Sequence, residues 1–118
     1  MKSGVFATSL LLLVVGCGSE WENEKYYLAK TEETPINLTL YHKIGDGGHG
    51  RIEFVNRLGI SSPYIYAEDK DGHYWYFDSS TDKEELNSNE IVKGPYTENE
   101  FNSIKSKLLI KGQIVYPH

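Results

Sequence analysis

His42, His49, His73 and His118 are too scattered for a local metal motif, since no His-x-x-x-His or other ligand spacing joins them. His42, on an apolar strand face, reads as a hydrogen-bonded core histidine. Gly45, Gly47 and Gly50 spell G-x-G-x-x-G, a turn that in a dinucleotide-binding unit opens a helix whose N-terminus receives the pyrophosphate. Here Arg51-Ile52-Glu53-Phe54 reads as strand, and Asp46 would set a negative charge beside the phosphates. A flexible hairpin loop is the expected role. Asp69 and Asp71 begin like a calcium loop, but the glycine falls at the fourth position instead of the sixth and Ser80 replaces the bidentate glutamate. A turn accounts for them better. There is no G-x-S-x-G elbow and no obvious serine or cysteine with a base nearby. Acid–base chemistry would need folding to bring carboxylates such as Asp78 and Glu53 into one cleft. The expectation is a non-enzymatic protein with no catalytic residues, no metal and no cofactor.

The remaining chemistry is aromatic. Two β-prone runs, Tyr64 to Glu68 and His73 to Asp78, flank Asp69-Lys70-Asp71-Gly72, a strong hairpin signal. A three-residue loop of Lys70-Asp71-Gly72, with Gly72 left-handed, puts Ile65, Ala67, Trp75 and Phe77 on one face. Tyr64, Tyr66, Tyr74 and Tyr76 then share the other. Such a plate buries area at small entropic cost and still offers hydroxyls, so these four are the expected partner-binding residues. A covering by the N-terminal segment or by an acidic loop would remove them from that role.

Other elements must position the plate. Tyr26 to Thr31 is a candidate first strand. In Ile36 to Ile44, residues Ile36, Leu38, Leu40, His42 and Ile44 alternate with Asn37, Thr39, Tyr41 and Lys43, the period of a half-buried strand. Asn37-Leu38-Thr39 matches a glycosylation acceptor, but inside a strand it is discounted. Arg51 to Leu58 is a second strand, with Ile52, Phe54 and Leu58 on one side. After an irregular acidic segment from Ser79 to Glu90, Thr97 and Glu100 stand at capping-box spacing, and Tyr96 and Phe101 form a hydrophobic staple. Phe101, Ile104, Leu108 and Leu109 make the apolar stripe of that helix, and Gly112 its stop. Gln113 to Tyr116 is a short last strand. The expected fold is α+β: a small antiparallel sheet of about five strands with one helix laid on its apolar face.

At the other end, Lys2 precedes an apolar run from Val5 to Val15 that closes in Val14-Val15-Gly16-Cys17. Eleven residues are too few to span a bilayer, and a positive, apolar, small-residue order is the secretory pattern. The segment resembles a bacterial lipoprotein signal peptide with its lipobox. The resemblance implies cleavage after Gly16, lipidation of Cys17 and a membrane anchor in the cell envelope, at the outer membrane if the host is Gram-negative, because Gly18 is not the aspartate associated with inner-membrane retention. It also accounts for a sole cysteine that can form no internal disulfide. The domain plan is then a signal peptide at 1–16, a lipidated N-terminus and tether at 17–24, and one domain at 25–118. The tether, acidic from Gly18 to Glu24, reaches roughly 23 Å at ~3.3 Å per residue.

Without Lys2 the chain keeps 11 basic against 17 acidic side chains, a net charge of −6 with histidines neutral. That balance disfavours nucleic acid and suits a cationic partner. The expected function is a membrane-anchored binding lipoprotein that engages an envelope protein, by analogy an immunity protein or inhibitor of a toxin or hydrolase. The alternative is an envelope-maintenance lipoprotein that stacks cell-wall glycan on its aromatics.

Overall fold

A computed structural model describes residues 19–118; the signal segment and Cys17 lie outside the described residues. The chain first builds a meander of four antiparallel strands, β1 (Ser19–Glu22), β2 (Tyr26–Lys30), β3 (Leu38–Ile44) and β4 (Gly47–Ile52), paired in that order. Alternation sets the faces. Tyr26, Leu28, Leu40 and His42 turn inward, and Tyr27, Ala29 and Tyr41 turn outward, half-buried. Ile36, in phase with the predicted stripe, precedes β3 and is 70% exposed.

Two expectations change in this sheet. The segment expected as a free tether instead supplies β1, with Trp21 opposite Leu28 and packed against the core. Ser-Glu-Trp-Glu has the period of a half-buried strand, with Glu20 and Glu22 exposed, and the free edge of β2 satisfies its backbone. The glycine loop is also shorter than expected: Gly45 and Asp46 alone make the turn, with Gly45 at φ 52, while Gly47 to Gly50 pair with β3.

Arg51 to Leu58 is not one strand. The β3–β4 register slips by one between Leu40↔Ile52 and Tyr41↔Gly50, so Arg51 is the extra residue of a bulge and turns inward beside Ile52. At Glu53-Phe54 the chain leaves this sheet. Phe54 takes φ 57, and its N–H donates to Asn37 Oδ1 at 3.1 Å. Thus the asparagine of the glycosylation-like triplet braces the crossing.

The second sheet holds β5 (Val55–Ser61), β6 (Tyr64–Asp69), β7 (Tyr74–Asp78), β8 (Lys93–Tyr96) and β9 (Ile114–Tyr116), in the antiparallel order β8-β7-β6-β5-β9. The β6–β7 hairpin has the expected register: Ile65 opposes Phe77, Tyr66 opposes Tyr76, and Gly72 closes the three-residue loop at φ 82. Its apolar face does not receive the helix. It packs on the first sheet, where Leu58, Ile65, Ala67 and Phe77 meet Tyr26, Leu28, Leu40 and Ile52 in the main core.

A short helix, α1 (Ser88–Ile91), and α2 (Glu98–Leu108) complete the α+β fold. The capping box at α2 forms as expected: Thr97 Oγ1 accepts from the Glu100 N–H at 3.2 Å, and Glu100 Oε1 from the Thr97 N–H at 2.8 Å. The helix stops at Leu109, left-handed at φ 59, three residues before Gly112. It lies on the tyrosine face of the hairpin, because the first sheet already occupies the apolar one.

Candidate functional site

Of the four tyrosines expected to bind a partner, Tyr66 is buried and its hydroxyl donates to the Lys111 carbonyl at 3.0 Å. Tyr64, Tyr74 and Tyr76 are half-buried around the same small core. Phe101 of α2 stacks on Tyr74 with centroids 5.0 Å apart and meets Tyr76 at 6.1 Å. Among the described residues, it is α2 that covers the plate, through Phe101. A half-polar face packs a helix well when its hydroxyls reach the margin or a carbonyl. These rings seat α2, and a second aromatic pair lies on the outer face of the first sheet.

There Tyr27 of β2 and Tyr41 of β3 are cross-strand partners whose rings stack at 5.0 Å and 20° on the outer face. Tyr27 reaches across to β4, where Gly48 makes room: a β-carbon there would fall 2.7 Å from Tyr41 Cβ and 2.9 Å from Tyr27 Cε1. Glycine serves here for close approach. The rings border an open groove of about 550 Å³, whose rim carries Ser19, Lys30, Glu32, Glu33 and Asp46. Burial, then the neighbouring Tyr41 and Glu22, push the Tyr27 phenol up, so it stays a neutral hydroxyl. Three exposed carboxylates against one lysine make the rim acidic. Aromatic faces beside carboxylates suit ammonium or guanidinium groups. Sequence reading placed Tyr41 on the outward face of its strand but lacked the β2–β3 register that brings Tyr27 alongside.

The inner side of the same sheet carries a polar cluster of different character. Arg51, turned in by the bulge, donates through Nε and Nη2 to both oxygens of Asp82, each at 2.9 Å, and through Nη2 to the Lys83 carbonyl. The Tyr26 hydroxyl donates to Asp82 Oδ2 at 2.8 Å, and His42 Nδ1 lies 3.5 Å from the same oxygen. His42 stacks on Tyr26 at 5.0 Å. It is the buried histidine of the sequence reading, but its Nδ1 makes no hydrogen bond. Burial works to raise the Asp82 carboxyl, yet hydrogen bonds from Arg51 and Tyr26 and the Arg51 charge outweigh it and hold it low. Burial and the Asp82 carboxylate push the Tyr26 phenol well up. Arg51 and Asp82 side chains have no solvent exposure. They cannot meet a substrate and instead pin the acidic segment to the sheet.

Asp69 and Asp78 are similarly engaged. Asp69 Oδ1 accepts from the Asp71 and His73 N–H groups, and Oδ2 from Trp75 Nε1 at 2.9 Å. Burial opposes ionisation of Asp69, but these donors hold its carboxyl below the ordinary range. Asp69, Asp71 and His73 place one ligand atom each within 4.8 Å of one another, yet the Asp69 oxygens already brace the turn. Glu53 lines a second cleft of about 500 Å³ with Asp69 and Trp75, whereas Asp78 caps Ser80 through its N–H at 2.9 Å. The two acids considered for acid–base work are not brought together. Comparison with protein-family models, with curated proteins and with solved structures finds no match.

Proposed function

We propose that this chain is a lipid-anchored, non-enzymatic binding domain of the bacterial cell envelope, and that it holds a cationic protein in the groove over Tyr27 and Tyr41. The observation that carries the reading is the stacked tyrosine pair on an open sheet face, rimmed by Glu32, Glu33 and Asp46. Aromatic anchors supply affinity once desolvated, and the acids supply orientation and association rate. An immunity protein or inhibitor of a toxin or hydrolase is the concrete form: the domain occludes a basic groove on its target. The lipobox resemblance supports work at a membrane. Because Cys17 precedes β1 by two residues, the chain between them reaches at most about 7 Å.

Affinity capture from envelope extract tests this. Tyr27→Ala with Tyr41→Ala lowers retention of a basic protein about tenfold or more. Glu32→Lys with Glu33→Lys lowers it too and flattens its salt dependence. Saturable retention of purified wall polysaccharide, insensitive to that charge reversal, would instead favour the glycan-binding alternative.

A further inference from the structure

Beyond the groove, the end of α2 carries an unused surface of opposite charge. From Phe101 to His118 the chain has three lysines and no acidic side chain, in a protein of net charge −5. Among the described residues, Lys105, Lys107 and Lys111 have no carboxylate partner within 4.0 Å. Between them Leu109 is 78% exposed, and Ile114 is 43% exposed. Leu109 occupies the left-handed helix-stop position at φ 59, where glycine or asparagine would be relaxed and a leucine side chain is sterically opposed. Lysines in a last helical turn offset the helix dipole. That role covers neither Lys111, which lies beyond the helix, nor the projection of Leu109.

The tip is held firmly. Ile110 is buried beneath it, the Lys111 N–H donates to Ser61 Oγ at 2.9 Å, and the Lys111 carbonyl accepts from Tyr66. Lys105 and Ile114 border one cleft of about 200 Å³ with Arg57 and Glu68, and since Glu68 pairs with Arg57 at 3.6 Å, the Lys105 charge beside Ile114 stays unmatched. We infer that it docks on a lipid surface bearing anionic headgroups, with Leu109 and Ile114 entering the acyl boundary and the lysines meeting phosphates. Single exposed apolar side chains close in sequence to lysines suit a fluid interface better than a shaped protein pocket, although Lys105 also lies over the Phe101 ring at 5.9 Å. Continuity with the anchor side agrees. β9 begins at Ile114, and four residues on, His118 Nε2 lies 3.4 Å from the Glu20 carbonyl, so the tip is roughly 13 Å along one strand from β1.

The full chain is mixed with phosphatidylcholine vesicles, with and without phosphatidylglycerol, that carry brominated acyl chains. Leu109→Trp adds emission to that of Trp21 and Trp75, and the added emission is quenched about twofold or more strongly on the anionic vesicles. Lys105→Glu, Lys107→Glu and Lys111→Glu together in that background remove the difference. Leu109→Asn, suited to the left-handed stop, folds normally and loses the excess binding to anionic vesicles. The N-terminal segment is common to every variant and both lipids, so it cancels. Equal quenching on the two compositions, no quenching on either, or full excess binding by Leu109→Asn would overturn the inference.

Discussion

Arg51 and Asp82 show how one residue's displacement sets local architecture. Without the bulge, Arg51 would alternate to the outer face; with it, a guanidinium enters the interior and must be matched by Asp82 and two carbonyls. Removing one partner of a buried pair strands the other, so Asp82→Ala lowers unfolding free energy by about 3–5 kcal/mol in denaturant titration. The pH dependence has two limbs. Asp82 is held below its ordinary 3.8 in the folded chain, so its contribution is complete above that value and is lost as pH falls through the lower folded one. Tyr26 is pushed above its ordinary 10.0, so the unfolded chain ionises first and stability declines as pH rises past about 10. Tyr26→Phe shallows the alkaline limb, to which Tyr27 also contributes, and Asp82→Asn the acid one, to which Asp69 also contributes. None of this was legible from sequence, because a bulge breaks the alternation on which face assignment depends.

At the scale of elements, the second core rests on one helix residue. Phe101 touches Tyr66, Tyr74 and Tyr76, and Phe101→Ala costs about 3–5 kcal/mol by opening a cavity beneath α2. Leu109→Gly relaxes the helix stop and raises stability by roughly 1 kcal/mol, measurable as a higher thermal midpoint. The β6–β7 hairpin and the α2 start were readable because local chemistry fixes them: a left-handed Gly72 sets one register, and Thr97 with Glu100 sets one cap. The destination of each face was not. Tyr64 and its neighbours looked like an open plate because alternation separates two faces without saying which meets the other sheet. β8 escaped notice because Lys93-Gly94-Pro95-Tyr96 has little strand propensity and pairs only at the sheet edge. The charge of Ser19 to Glu22 suggests a tether, yet their alternation allows the edge strand they form.

Across the whole molecule, two sheets close one core and α2 closes another, leaving two surfaces of contrary character. One is the acidic tyrosine groove on the first sheet; the other is the lysine-bearing tip after α2. The proposed anchor at Cys17 would hold the domain within about 7 Å of it, and which face looks outward would then govern what it reaches. In the proposed function, binding uses Tyr27 and Tyr41, not the hairpin plate. Tyrosine nitration mapped by mass spectrometry, in the free protein and after saturation with the captured envelope partner, tests it directly. Tyr27 and Tyr41 are expected to react when free and to be shielded in the complex, while Tyr26 and Tyr66 resist in both and Tyr64, Tyr74 and Tyr76 do not change. Shielding of Tyr64, Tyr74 and Tyr76 with Tyr27 and Tyr41 unaltered would contradict it.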